Sequence, residues 1–135
     1  MVQTTLLLIK PNAVQNKNIG EIITIIEKDN FLIKDIKFLK FDDALIDSFY
    51  QEHREKPFFN ELKEFMLSGY TVVIKLEREN AIARLRELNG SITEPEKSEP
   101  GTIRALFADN VTANAVHSSD SEKNARREVA LIFGE

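Results

Sequence analysis

The chain has no cysteine. That removes disulfides, thiolate metal ligands and thiol nucleophiles. With no secretory pattern in Met1-Val2-Gln3-Thr4-Thr5, the expected location is cytoplasmic. Long apolar runs are missing too. A membrane helix needs about 20 apolar residues, whereas Leu6–Ile9 gives way at once to Lys10-Pro11, so no membrane insertion is expected. Nor is there a basic excess. Lys and Arg number 18 against 22 Asp and Glu, a net charge of −4, and this balance disfavours a nucleic-acid partner. It still permits phosphate ligands, because a few cations focused in one cleft can bind a nucleotide on an acidic protein. Repeats and low-complexity tracts are absent.

What is present fits one compact domain over residues 1–135, with 42% hydrophobic and 30% charged residues,. Thr4–Ile9 reads as a central strand stopped by Pro11, which makes its end a candidate functional rim. Ile19, Ile22, Ile23 and Ile26 recur at helical spacing, and Leu32–Phe41 alternates in part, as a half-exposed strand does. Asp42 or Asp43 is placed to cap a helix running through Tyr50. Asn60–Met66 predicts a helix ending at Ser68-Gly69, Thr71–Leu76 a strand, and Ile82, Leu85 and Leu88 a further helix. Asn89–Gly101 has loop composition. Ser121–Glu128 reads as a polar surface helix and Val129–Phe133 as a last buried strand. Four strands interleaved with helices predict a layered sheet-and-helix domain whose strand order the pattern leaves open.

There are two histidines. His53 lies in the charge run Gln51-Glu52-His53-Arg54-Glu55-Lys56, where a surface residue is the better reading. His117 stands between Ala115-Val116 and Ser118-Ser119-Asp120, at the junction of an apolar segment and a helix start. An imidazole is nucleophilic only when one nitrogen is unprotonated, so the other needs an acceptor to fix the tautomer. Glu128, 11 residues on, is a candidate, although taken alone it reads as a solvated helix-end acid.

The pattern Asn114-x-x-His117-x-Ser119-Asp120 resembles the signature of the nucleoside diphosphate kinases. Ile9-Lys10-Pro11, Tyr50, Pro57-Phe58-Phe59, Phe65-Met66 with Ser68-Gly69, and Pro100-Gly101-Thr102-Ile103-Arg104 follow in family order, so the resemblance spans nearly the whole chain. It implies an α+β fold, a ferredoxin-like four-stranded antiparallel sheet covered by helices. It also implies a ping-pong kinase that moves the γ-phosphate of ATP or another nucleoside triphosphate onto a nucleoside diphosphate, through a phosphohistidine on His117.

By the same resemblance, Lys10 meets the sugar hydroxyl and terminal phosphate, and Arg86, Thr93 and Arg104 hold the phosphate chain. Phe58 stacks on the base opposite Val111, Asn114 binds the ribose, Tyr50 packs against the nucleophile, and Ser119 and Glu128 orient it. Such a division of labour suits phosphoryl transfer, in which positioning and charge neutralisation supply most of the catalysis. Magnesium (Mg2+) is expected to arrive on the nucleotide phosphates rather than in a protein cage. The family assembles from a common dimer into tetramers or hexamers, so a homo-oligomer is expected. Two departures matter below. Asn12 stands where the family's usual residue is aspartate, and Ser118 where it is glycine or alanine. Ser118 adds bulk and a hydroxyl expected close to the phosphate path, and together with the other departures, Asn12, Tyr70, Arg78 and Leu106, it motivates an alternative reading, a catalytically weak nucleotide-binding or scaffold member of the family.

Overall fold

A computed structural model describes residues 1–134; Glu135, the last residue of the expected domain, lies outside them. Strands β1 (Val2–Ile9), β2 (Leu32–Leu39), β3 (Thr71–Glu79) and β4 (Val116–Ser118) form one sheet in the order β2-β3-β1-β4. Every pairing is antiparallel. Among the described residues the helices are α1 (Pro11–Gln15), α2 (Ile19–Lys28), α3 (Asp43–Phe49), α4 (Phe59–Leu67), α5 (Ala81–Asn89), α6 (Ile103–Phe107) and α7 (Glu122–Phe133). This is the ferredoxin-like α+β arrangement that the resemblance implied.

The uninterrupted run Leu6–Ile9 has a physical cause. β1 is central, and helices cover both faces of the sheet beneath it, so successive side chains all find a core. Leu7 and Ile9 pack with Ile22, Ile26, Ile74, Leu85 and Ile103 on the face of α2, α5 and α6. Leu6 and Leu8 pack with Phe49, Leu62, Met66, Val129 and Ile132 on the face of α3, α4 and α7. The β2 edge is instead exposed, with Leu32, Ile36 and Phe38 facing solvent and Phe38 stacked on Tyr70 at 4.8 Å.

Two expectations are corrected. Val129–Phe133 is not a strand but the last turns of α7. Its buried positions, Ala125, Glu128, Val129 and Ile132, follow a helical stripe, while Leu131 faces solvent. A five-residue apolar run cannot by itself distinguish a strand from a buried helix end. The fourth strand is β4, only three residues long and on the other sheet edge beside β1. Two short helices, α1 and α6, were not anticipated. Asp42 is the cap of α3, accepting from the Leu45 amide at 2.8 Å.

Gly90 ends α5 with φ +94° and ψ −170°, a region essentially confined to glycine,. A Cβ there would stand 2.7 Å from Ser98 Oγ and 2.8 Å from Thr102 Oγ1. The Gly90→Ala variant should lose about 1–3 kcal/mol of stability, read from the denaturant midpoint at constant slope; an unchanged midpoint would contradict this account of the turn.

Candidate active site

Antiparallel pairing sets His117 opposite Leu8 and Ser118 opposite Leu7. Because neighbours on a strand face opposite ways, His117 turns to the α3 and α7 face and Ser118 to the α5 face. His117 Nε2 lies 3.1 Å from Glu128 Oε1 on α7. The same oxygen accepts from Ser119 Oγ at 2.7 Å. A carboxylate can only accept, so this contact places the imidazole proton on Nε2 and leaves the Nδ1 lone pair free. The ring is held from the side by Phe49 and Tyr50, with centroids 5.2 and 5.5 Å away in edge geometry. Arg127, midway along α7, ties that helix to the C-terminal end of α3 by donating to the carbonyls of Ser48 and Phe49.

Cations gather beside it. Pro11 ends β1, and the preceding Lys10 donates its amide to Ala115 O at 2.8 Å, joining the rim of β1 to the segment before His117. Burial, and then the charge of Arg104, lowers the Lys10 amine to about 7. Arg104, on α6, donates to Gly90 O and Val116 O, each at 2.8 Å, so the residue that contributes charge also pins β4. Burial first, and Arg86 second, lowers its guanidinium to about 10. Cations that disfavour one another's charge are relieved by an anion placed among them, and a phosphate chain is one. The Tyr50 hydroxyl is buried without a partner, and burial, reinforced by Glu128, pushes its pKa up, which keeps it a donor.

These groups line one cleft of about 900 Å³. Its other lining includes Phe58, Arg86, Thr93, Val111 and Asn114. Phe58 and Val111, 47% and 58% exposed, are apolar side chains left open to a ligand. Asn114 donates to Val111 O at 3.2 Å, and its Oδ1 is buried without a partner.

The nucleoside diphosphate kinase family model matches residues 3–135. The chain belongs to the nucleoside diphosphate kinase family. It is 51% identical over 133 residues to the nucleoside diphosphate kinase of Haemophilus ducreyi, covering 98% of this chain and 96% of that protein. A crystal form of the Aquifex aeolicus nucleoside diphosphate kinase matches with TM-score 0.95 at 40% identity, over 98% of this chain and 96% of that one. The Halobacterium salinarum nucleoside diphosphate kinase in complex with CDP matches with TM-score 0.94 at 33% identity, over 100% of this chain and 90% of that one. Membership in this family makes the protein a phosphotransferase.

Ten of the residues carried over from the nucleoside diphosphate kinase pattern (Lys10, Tyr50, Phe58, Arg86, Thr93, Arg104, Val111, Asn114, His117 and Glu128) line the cleft together. Ser119, fully buried, stands behind Glu128. Glu128 is no solvated acid: it is 4% exposed. His53 is the residue that sequence reasoning missed. It is half-buried in the cleft wall, with its ring 5.9 Å from Tyr50 and 5.6 Å from Phe58. Its placement between those two positions in sequence was the available signal. Among the described residues no three His, Cys, Asp or Glu side chains converge as a metal cage.

Ser118 lines the cleft but turns its hydroxyl to the fully buried Asn89, whose Nδ2 donates to it at 2.9 Å. Asn89 Oδ1 has no partner, so Ser118 satisfies the remaining end of that amide. Ser118→Ala should therefore destabilise the fold by about 1–3 kcal/mol, the cost of stranding a buried polar group. Wild-type stability on thermal or denaturant unfolding would contradict it.

Proposed function

We propose that this protein transfers the γ-phosphoryl group of a nucleoside triphosphate to a nucleoside diphosphate by a ping-pong route through His117. The observation that carries the reading is the chain Ser119–Glu128–His117 at the wall of a cleft bearing Lys10, Arg86 and Arg104. The Nδ1 lone pair attacks the γ-phosphorus, the bond to the β-phosphate oxygen breaks, and the diphosphate leaves. A terminal oxygen of a second nucleoside diphosphate then attacks phosphohistidine and restores the free imidazole. Positive charge that grows on the ring is met by Glu128 through Nε2–H.

The other roles follow from chemistry and position. Arg86 and Arg104 offer planar forks to phosphate oxygens, Lys10 a point charge, and Thr93 and Tyr50 neutral donors. Asn114 meets the ribose. The base lies between Phe58 and Val111, and such apolar contact serves every base because each has a π-face. The CDP held by the halophilic relative supports a nucleotide ligand here. Magnesium, bound by the phosphates, would neutralise charge developing on them, and the cleft carboxylates Glu52 and Asp120 are the side chains to meet its water shell.

The assembly we propose is a homo-oligomer built on a dimer, supported by the apolar, unpaired edge of β2, which an isolated chain would leave open to association. A reducing, cytoplasmic setting fits the cysteine-free composition,. Among the described residues no helix is long and apolar enough to cross a membrane. The scaffold alternative rested on Ser118 together with the other departures, and the turn of the Ser118 side chain toward Asn89 weakens the first of these grounds.

Incubation with ATP labelled in the γ-position should place an acid-labile, alkali-stable phosphate on His117, and His117→Ala should lower turnover by about 10³-fold or more. An unlabelled wild type, or an active His117→Ala, would overturn the reading. Proton linkage gives a second measurement. Lys10, with its amine at about 7, is largely neutral at mildly alkaline pH, and a phosphate dianion beside it raises that value again. ADP binding at about pH 8 should therefore take up close to one proton, seen as a buffer-dependent heat by calorimetry and abolished in Lys10→Met. Buffer-independent heats would contradict it.

A further inference from the structure

We propose that Asn12 is a positioning residue that suspends the nucleoside-binding loop, residues 108–114, from the phosphate end of the cleft; this rests on the function proposed above. Asn12 is two residues beyond Lys10, on the first turn of α1, and only 7% exposed. Its Nδ2 donates to Ala113 O at 3.0 Å and Asp109 Oδ2 at 3.1 Å, with Phe107 O at 3.5 Å. Three acceptors facing one atom fix which way the amide points, since a flipped oxygen would meet oxygen on every side. This is also why asparagine suits the position. An aspartate, the family's usual residue, would set a carboxylate against Asp109 and two carbonyls.

The loop has little freedom of its own. Asp109 N donates to Ala113 O at 2.8 Å, and Asn110 Oδ1 accepts from the amides of Thr112 and Ala113 at 3.0 and 2.8 Å. Asn114 closes on Val111 O. The loop is therefore a braced unit, tied to α4 by Thr112 Oγ1 donating to Glu61 Oε1 at 3.1 Å and to α1 through Ala113 O, which accepts from both Asp109 N and Asn12 Nδ2. Val111 and Asn114 ride on it. Asn12 thus sets the distance between the cations that hold the phosphates and the contacts that hold base and ribose. An error of about 1 Å between two such groups is enough to spoil binding of a ligand that must touch both.

A ligand that reaches both ends should feel the loss of Asn12, and one that reaches only the cations should not. The test measures the affinity of ADP and of inorganic pyrophosphate by calorimetry, and KM and kcat for ATP and a diphosphate acceptor. In Asn12→Ala, ADP should weaken and KM rise by about tenfold, with kcat at saturation within about threefold and pyrophosphate within about twofold. The exposed Asp109→Ala should weaken ADP about threefold, and the double variant should be no worse than Asn12→Ala, as two ends of one contact require. Equal weakening of both ligands, unchanged ADP affinity, or a fall in melting temperature with KM unmoved would overturn the proposal. If Asn12→Ala does not fold, Asp109→Ala alone decides, by the same contrast between ligands. A wild type that binds ADP but exchanges no phosphate would sink the proposed function and leave the affinity contrast to judge Asn12; a wild type that does not bind ADP would sink both.

Discussion

The hydrogen bond between Glu128 and His117 decides what the rest of the cleft can do. Glu128 is almost wholly buried and accepts from both Ser119 Oγ and the imidazole. A buried carboxylate with two donors has no freedom to turn away, and the ring it faces is wedged between Phe49 and Tyr50. One tautomer follows, and with it one nucleophilic atom. Without that constraint the neighbouring cations would still attract phosphate but would have no group prepared to receive it.

Topology supplies the constraint. Placing β4 on the edge beside β1 brings Lys10 next to the strand of His117, and the Lys10 amide bonds to Ala115 O. A three-residue strand makes few ladder bonds, so it needs outside support. Arg104 provides some of it through Val116 O, while its other arm holds Gly90 at the start of the loop that carries Thr93. Arg104, which would meet phosphate, is thus also part of the frame through its guanidinium, whereas Lys10 joins the frame only through its backbone amide; burial lowers the Lys10 amine to about 7 and the Arg104 guanidinium to about 10. Removing the Arg104 side chain therefore alters both the electrostatics and the geometry, and removing the Lys10 side chain alters the electrostatics.

Much of this is legible in the amino-acid sequence itself. β1 announced itself as a central strand closed by proline, α2 by its isoleucine stripe, α3 by an aspartate cap at position 42 or 43, and the motif register named ten of the cleft residues and Ser119 behind them. What failed did so for identifiable reasons. β4 is too short to show alternation, so His117 looked like the end of an apolar segment rather than part of a strand, and the direction of Ser118 could not be read. Val129–Phe133 is apolar at every position, and only packing reveals that Leu131 faces out, which a helix end allows. His53 was hidden by its charged neighbours. Asn12 stood out only as a departure from the family's usual aspartate, and its three acceptors come from a loop about a hundred positions away.

The central claim is that Glu128 fixes the tautomer so that Nδ1 is the attacking atom. Nitrogen-15 NMR of histidine-labelled protein after reaction with ATP reads this directly, because substitution on one ring nitrogen shifts its resonance and phosphorus coupling identifies it. The account predicts a single phosphohistidine, on His117, bonded through Nδ1 with Nε2 still protonated. Phosphate on Nε2, on His53, or on no histidine would contradict it.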